Sequence, residues 1–344
     1  MPKKLSICIG TYNRGAFIGE TLDSILCQLV DGVEIVVVDG ASPDNTAEVL
    51  APYALHYPEI RYFREQENSG VDADFDKAVG YARGEYCWLM TDDDLLRPGA
   101  IATVLAALCA EDDLIIVNSE VRSKDLSVVY ESHHLLCEVD RVYRAADCEK
   151  LFADTANYLS FIGCVVIRRE CWLSRNRVDY YGTLFIHVGV IFQSPPIVNV
   201  RVIAEPLIMI RYGNAMWTPR SFEIWLYKWP ELIWSFPDFS ESVKRKVCRR
   251  EPWRSAKTLF FNRALGTYTV NEFRKFCSND TGKIERVMAY VLSIFPASLA
   301  NFVMVFYISI FAKQAQMKLH DLLYSRNAGV LSRLWSRALG AGNR

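Results

Sequence analysis

The chain has 344 residues, 51% of them apolar, and a formal net charge of −1. That length suits one large domain, or a main domain with an appendage, and supplies a sizeable core. Near-neutral charge excludes the basic excess of a nucleic-acid binder. The ten cysteines are scattered, with no C-x-x-C pair and no Cys/His group at zinc spacing, so they read as reduced thiols of a cytosolic protein. The opening MPKKLSICIG has too short an apolar run for a signal peptide and reads as a first strand.

Over the first 120 residues, runs of strand length alternate with helical patterns. The runs are Leu5–Gly10, Glu34–Val38, Ile60–Arg64, Tyr86–Met90 and Leu114–Asn118; the helical patterns cover about 15–30, 43–56, 72–83 and 98–110. Pro43 and Pro98 stand where a first helical turn tolerates proline. The alternation predicts an α/β fold: βαβ units, a mostly parallel sheet flanked by helices, and ligands beyond the carboxyl ends of the strands. From about 120 to 215 the pattern is less legible, although Cys164–Ile167 and Val202–Ile210 predict that the sheet continues. Residues 217–239 hold eight aromatics. Phe222, Trp225, Trp229 and Phe236 fall near helical spacing and predict packing, while the rest, Trp217 included, stay open to sugar stacking or a membrane interface.

Val287–Ala312 carries no charge over 26 positions, long enough to span a bilayer, but Pro296 and Asn301 interrupt it. From residue 283 onward eight basic residues, among them Lys313, face two acidic ones. That combination suits an anionic membrane surface. A buried hairpin broken at Pro296, or a helix contact in a homo-oligomer, is the alternative. The organisation read from these features is a sheet domain over 1–215, an aromatic helical extension over 216–282 and an apolar, basic C-terminal region over 283–344.

The chemistry stands at the strand ends. Thr11-Tyr12-Asn13-Arg14 follows the first strand, Asp39-Gly40-Ala41-Ser42-Pro43-Asp44 the second, Glu67-Asn68-Ser69-Gly70 the third, and Asp92-Asp93-Asp94 the fourth. Four consecutive strand ends with polar, turn-forming groups predict one site on one rim. Three adjacent carboxylates repel one another, and a divalent cation would compensate them. On an extended chain Asp92 and Asp94 face the same way and could share Mg²⁺ or Mn²⁺, which prefer carboxylate oxygens. Asp93 either caps the helix beginning near Pro98 or faces solvent.

In their order and spacing, CIGTYNR, VVVDGASPDNT, ENSGVDADFDKAVGYARGEY and TDDD resemble the GT-A (Rossmann-like) fold glycosyltransferases of family 2, over roughly residues 4–215. RVDYYGTLFIHVGVI, MIRYGNAMWT and REPW are similar, more particularly, to bacterial O-antigen abequosyltransferases and their relatives. The resemblance implies transfer of a (deoxy)hexose from a CDP- or UDP-linked donor to a lipid-linked saccharide, at the cytoplasmic face of a bacterial inner membrane. The metal would assist departure of the diphosphate.

By the same resemblance Asp94 contacts the metal, Asp92 the sugar or ribose, and Asp93 belongs to the donor site. Asp39 accepts from the pyrimidine, and a carboxylate serves uracil N3–H or the cytosine amine equally. Thr11, Tyr12 and Arg14 frame the nucleotide, although Thr11 and Asn13 could merely shape the turn. Asn68 and Gly70 make a turn near base and ribose, with Gly70 supplying unusual backbone angles. Asp72 or Asp74 reaches the sugar, or is an ordinary helix N-terminal acid, and Ser42 and Asp44 look like N-cap material. Arg211, with Gly213 and Asn214, holds the diphosphate or makes a surface ion pair.

The chain departs from the family where a Glu-Asp pair normally supplies the general base. It reads Phe185-Ile186-His187-Val188 there, with no carboxylate. His187 is the candidate base, a third metal ligand or a core histidine, and Asp179 is a second candidate base. A retaining outcome therefore stays open beside the inverting one. Two further readings stand beside this one. A nucleotidyltransferase would want a Gly-rich, lysine-bearing loop after the first strand, which is absent; a membrane-bound scaffold would have kept the fold without the catalysis.

Overall fold

The structure is a computed structural model and describes residues 3–214, 218–277, 282–311 and 316–338. In chain order the first unit runs β1 (Leu5–Thr11), α1 (Ile18–Leu26), β2 (Val33–Asp39), α2 (Thr46–His56), β3 (Ile60–Arg64), α3 (Val71–Tyr81), β4 (Tyr86–Met90), β5 (Leu95–Leu96) and α4 (Ala100–Ala107). It continues with β6 (Leu114–Arg122), β7 (Val129–Glu131), β8 (Arg141–Tyr143), α5 (Cys148–Thr155), β9 (Val165–Arg168), α6 (Arg169–Leu173), α7 (Ile186–Phe192) and β10 (Val200–Arg211). Every residue of β1, β2 and β4 is buried, as expected of strands covered on both faces.

The sheet order is β3-β2-β1-β4-β9-β6-β10-β5, with β7 on β6 and β8 on β10. Strands β1 to β4 are mutually parallel and adjacent, so their carboxyl ends share one edge. Strand β9 runs antiparallel between β4 and β6, and β10 lies parallel to β6, which makes the sheet mixed. Register fixes the rim: Thr11 stands beside Asp39, and Asp39 beside Arg64. Ile9 pairs with Met90, so β4 ends two residues short of the level of Thr11 and the aspartates follow it at the rim.

The strand boundaries match the reading closely, except that β6 runs on to Arg122 instead of ending at Asn118. Pro43 and Pro98 precede α2 and α4 instead of lying in their first turns. The domain division differs. The first unit ends at Tyr212 but regains Ser235–Val247, and everything else beyond Gly213 forms one second unit. The physical reason for the return is aromatic. Phe239 stacks on Phe152 at 4.2 Å between centroids, and Phe236 packs edge-on to Phe192 at 6.0 Å.

The second unit is helical. One cluster gathers Phe222, Leu226, Leu259, Tyr268, Cys277 and Ala289; another gathers Ala264, Ala300, Met304, Val305, Ile308 and Leu322. Phe222 and Trp229 are buried as the helical spacing predicted. The apolar stretch breaks at Pro296 into helices Lys283–Ile294 and Ala297–Phe311. Trp217, Ala312 and Lys313 lie outside the described residues.

Candidate active site

Hydrogen bonds lace the loops after β1 and β2 together. Asn13 N–H donates to Ser42 Oγ at 2.9 Å, Arg14 N–H to Thr46 Oγ1 at 2.9 Å and Gly15 N–H to Asp44 Oδ2 at 3.2 Å. Ser42 and Asp44 therefore fasten the neighbouring loop, while the N-cap of α2 is Asn45; of the two, Asp44 alone reaches the helix, its Oδ1 accepting from Thr46 N–H at 3.1 Å. Asn13 and Ala41 hold left-handed φ angles of +57° and +61°, a strain that persists only where the surroundings fix it. A Cβ on Gly15 would meet Asn45 Oδ1 at 2.1 Å, so a side chain there would displace Asn45. Tyr12 is half-buried in the same loop.

Asp39 is fully buried. Its Oδ1 accepts from Ser42 N–H at 2.8 Å and its Oδ2 from the Tyr62 hydroxyl at 2.9 Å, with Arg64 Nε 3.8 Å away. Sequence reasoning missed Tyr62 and Arg64. The signal was present, because Arg64 closes its apolar run as Asp39 closes the one before. Asn68 Oδ1 accepts from Gly70 N–H at 2.8 Å, and Gly70 enters α3 at φ +89°.

The three aspartates find their first compensation in Arg14. Its Nε lies 3.3 Å from Asp92 Oδ1 and its other end 3.3 Å from Asp93 Oδ2. Asp93 thus neither caps α4, whose N-cap is Gly99, nor projects into solvent. Asp94 Oδ1 accepts from Arg211 N–H at 2.7 Å and its other oxygen from the Thr91 hydroxyl. Burial and then Asp93 push Asp92 up to about 7, against the pull of Arg14. The same two causes raise Asp94 well above the carboxylate range.

Among the described residues no group of three or more His, Cys, Asp or Glu converges as a complete metal shell. Mg²⁺ and Mn²⁺ sites commonly need only one or two carboxylates, with phosphate oxygens and water completing the shell. The buried Asp94 and the half-buried Asp92, crowded by a third carboxylate and with Arg14 as the one side-chain cation paired to Asp92, fit that part.

Arg211 is a correction. It was expected as a diphosphate clamp or a surface ion pair, but it is buried and committed to protein. Its Nε donates to the Asp93 carbonyl at 3.0 Å, one terminal nitrogen to the Lys124 carbonyl at 2.8 Å, and the other pairs with Glu20. It ties the end of β10 to the aspartate loop and α1.

Helix α3 serves two sides. Asp72 accepts from Leu184 N–H at 2.8 Å and Ile186 N–H at 3.1 Å, capping the start of α7, which leaves it an anchor instead of a sugar contact. Asp76, one turn on, accepts from Trp172 Nε1 at 2.8 Å and pairs with Arg177 Nε at 2.8 Å. Asp74 faces the nucleotide loops instead. It accepts from the Ser69 hydroxyl at 3.2 Å, its Oδ2 would stand 2.6 Å from a Cβ on Gly40, and burial pushes it up to about 6.

His187 is the second correction. Helix α7 is buried along its whole length, and His187 Nε2 lies 2.5 Å from the Leu159 carbonyl. Burial lowers its pKa to about 4, so it is a neutral core histidine with too little basicity to compete for a hydroxyl proton near pH 7. Asp179 is exposed, and its Oδ2 accepts from Asn176 Nδ2 at 2.5 Å.

Comparison with known proteins bears on this arrangement. Residues 6–170 match glycosyl transferase family 2. The abequosyltransferase RfbV of Salmonella typhimurium is 27% identical over 228 residues, covering 61% of this chain and 67% of that protein. The glycosyltransferase GlyG of Streptococcus pneumoniae is 26% identical over 119 residues, and the chain spans only 40% of its length. Among solved structures, S. aureus TarS 1–349 in complex with UDP aligns with a TM-score of 0.52 at 15% identity, covering 97% of this chain and 92% of that one. At that identity the likeness speaks for the fold.

Proposed function

We propose that the chain, whose residues 6–170 match glycosyl transferase family 2, moves a hexose or deoxyhexose from a CDP- or UDP-linked donor to a lipid-linked saccharide. The setting proposed is surface polysaccharide synthesis at the cytoplasmic face of a bacterial membrane. One observation carries the donor side: Thr11, Asp39 and Arg64 stand in register on one rim, beside the buried Asp94 and the half-buried Asp92 and Asp93 that share Arg14. Similarity to an abequosyltransferase supports a deoxyhexose, and the UDP-bound neighbour supports a pyrimidine diphosphate.

In this reading Asp39 offers its remaining lone pairs to the base, held in orientation by Ser42 and Tyr62. Tyr12 packs on the nucleoside, Thr11 borders it, and the Asn68–Gly70 turn closes over the ribose. Asp94 and Asp92 would hold Mg²⁺ or Mn²⁺, which supplies charge to offset the departing diphosphate. Arg14 already lies between two of the carboxylates and is the nearest fixed positive charge for a phosphate.

The test is calorimetric titration of UDP and CDP, each with and without Mn²⁺, against the native chain, Asp94→Asn and Asp94→Ala. One nucleotide should bind in a metal-dependent manner, and both variants should weaken it at least about tenfold. Metal-independent binding that ignores Asp94 would remove the assignment.

A retaining transfer is the second reading, favoured by the placement of His187 against Leu159 with no carboxylate beside it in the sequence. The acceptor hydroxyl would then give its proton to an oxygen of the leaving diphosphate on the same face. The anomeric configuration of the product, read by NMR coupling, decides between the outcomes.

A further inference from the structure

The second unit carries an outward surface that its own fold leaves unused. Helix Lys283–Ile294 buries Ala289 and Ser293, yet turns Ile284 (86% exposed), Val287, Val291 and Ile294 outward at helical spacing. Helix Ala297–Phe311 buries Ala300, Met304, Val305 and Ile308, and exposes Leu299, Val303, Phe306 and Ile310. A surface helix in water carries polar residues on that side, and a contiguous apolar face marks a contact.

The two helices meet at an angle of 96°. With 12 and 15 residues they reach about 18 and 22 Å, each short of a hydrocarbon core of about 30 Å. The elbow is fastened from inside. Arg263 Nε donates to the Phe295 carbonyl at 2.8 Å. Asn301 Nδ2 donates to the Leu322 carbonyl at 2.9 Å and lies 3.2 Å from that of Ala264, while its Oδ1 accepts from Ser332 at 2.6 Å. Straightening the pair would strand a buried amide.

Charge selects the occupant. Residues 248–344 hold fifteen Lys and Arg against five Asp and Glu. The Lys257 ammonium sits 5.9 Å from the Tyr307 ring at the patch, a pairing suited to headgroup level. A second copy would bring like charges together, whereas an anionic leaflet meets them with the opposite sign.

We propose that the bent pair is a fixed wedge that enters one leaflet of an anionic bilayer without crossing it. The inference rests on the reading of a membrane-resident acceptor and specifies how the chain meets that membrane.

The experiment uses the full chain with sealed vesicles of phosphatidylcholine, alone or mixed with phosphatidylglycerol. Cosedimentation should be at least about tenfold tighter on the anionic vesicles, and about tenfold weaker for Val287→Glu/Val291→Glu and for Lys257→Gln/Lys283→Gln. In separate variants Lys283→Cys and Lys318→Cys, an impermeant maleimide read by peptide mass spectrometry should modify both positions from outside. Protection of one position would mean the segment crosses and would overturn the wedge. So would equal binding to neutral vesicles, or undiminished binding of the double glutamate variant. Sedimentation of a dimer that this variant abolishes, without vesicle binding, would give the face to a second copy and overturn it too. Nucleotide titration of the same variants checks that they fold. Its failure in the native chain would remove the donor reading and leave the wedge standing.

Discussion

The sheet unit and the helical unit carry excess charge of opposite sign, and each leaves a different kind of group unsatisfied. The sheet unit, residues 1–212 and 235–247, contains 22 Lys and Arg against 33 Asp and Glu; the helical unit, residues 213–234 and 248–344, contains 17 against 7. In the sheet unit the long apolar strands are sealed and the crowded groups are acids, with Asp92 and Asp94 raised by burial and by Asp93. In the helical unit the reverse holds. Arg263 is lowered by burial and by neighbouring Arg326, and the uncovered surface is apolar. An acidic rim suits a cation with a diphosphate, and a basic, apolar face suits an anionic leaflet. The two excesses nearly cancel in the chain total, so net charge alone conceals both.

The comparison breaks first if apolar residues in the two units behave alike. Trp88 is fully buried in β4 and donates its indole N–H to the Gly163 carbonyl at 2.8 Å. Trp88→Ala should cost about 3–5 kcal/mol in urea unfolding. Phe311, 70% exposed, should cost less than about 0.5 kcal/mol as Phe311→Ser in buffer, yet weaken vesicle binding. A Phe311 variant as damaging in buffer as the tryptophan would show its face already covered by protein. Between these lies Asn301→Ala, which strands the partners of a buried amide and should cost about 1–3 kcal/mol. Hydrogen exchange over 297–311 should rise with it; unchanged protection would mean that Asn301 does not hold the elbow.

Much of this was legible because the period of the apolar pattern is local. The runs ending at Gly10, Val38, Arg64 and Met90 need no tertiary information to be read as buried parallel strands, and parallel neighbours put their ends on one rim. The break at Pro296 was equally local. What escaped depends on contacts distant in sequence. Arg211 joins Glu20 and the Asp93 carbonyl, nearly 200 and 120 residues away along the chain, so its spacing gave no hint that it is a strut. Asp72 looked like a helix N-terminal acid, yet it caps a different helix, α7, 112 residues on. His187 lies on a helix buried on every side, where the residues flanking it in sequence look like those of any rim helix. Phe236 and Phe239 continue a helical aromatic pattern, but their partners Phe152 and Phe192 lie in the sheet unit.

The smallest effect sharpens the contrast between buried acids in one unit and a buried neutral amide in the other. Burial raises Asp74 from its ordinary value of 3.8 to about 6, so the folded chain holds that proton more tightly than the unfolded one. A raised value gives a stabilising contribution that is fully present below about pH 4 and is lost as pH rises through about 6. At pH 7.5 the ionised carboxylate is therefore a cost to the fold. Asp74→Asn keeps the shape of the neutral acid and can still accept from Ser69. It should match the native chain near pH 4 and exceed its stability at pH 7.5, by on the order of 1 kcal/mol once solvent screening is allowed for. Asn301→Ala, with no titrating group, should show the same deficit at both pH values. Parallel pH profiles for the native chain and Asp74→Asn would remove the buried-acid argument. If the asparagine variant gains stability and also loses nucleotide affinity, the acid beside Gly40 is kept for binding at the expense of the fold, as expected of a group inside a functional site.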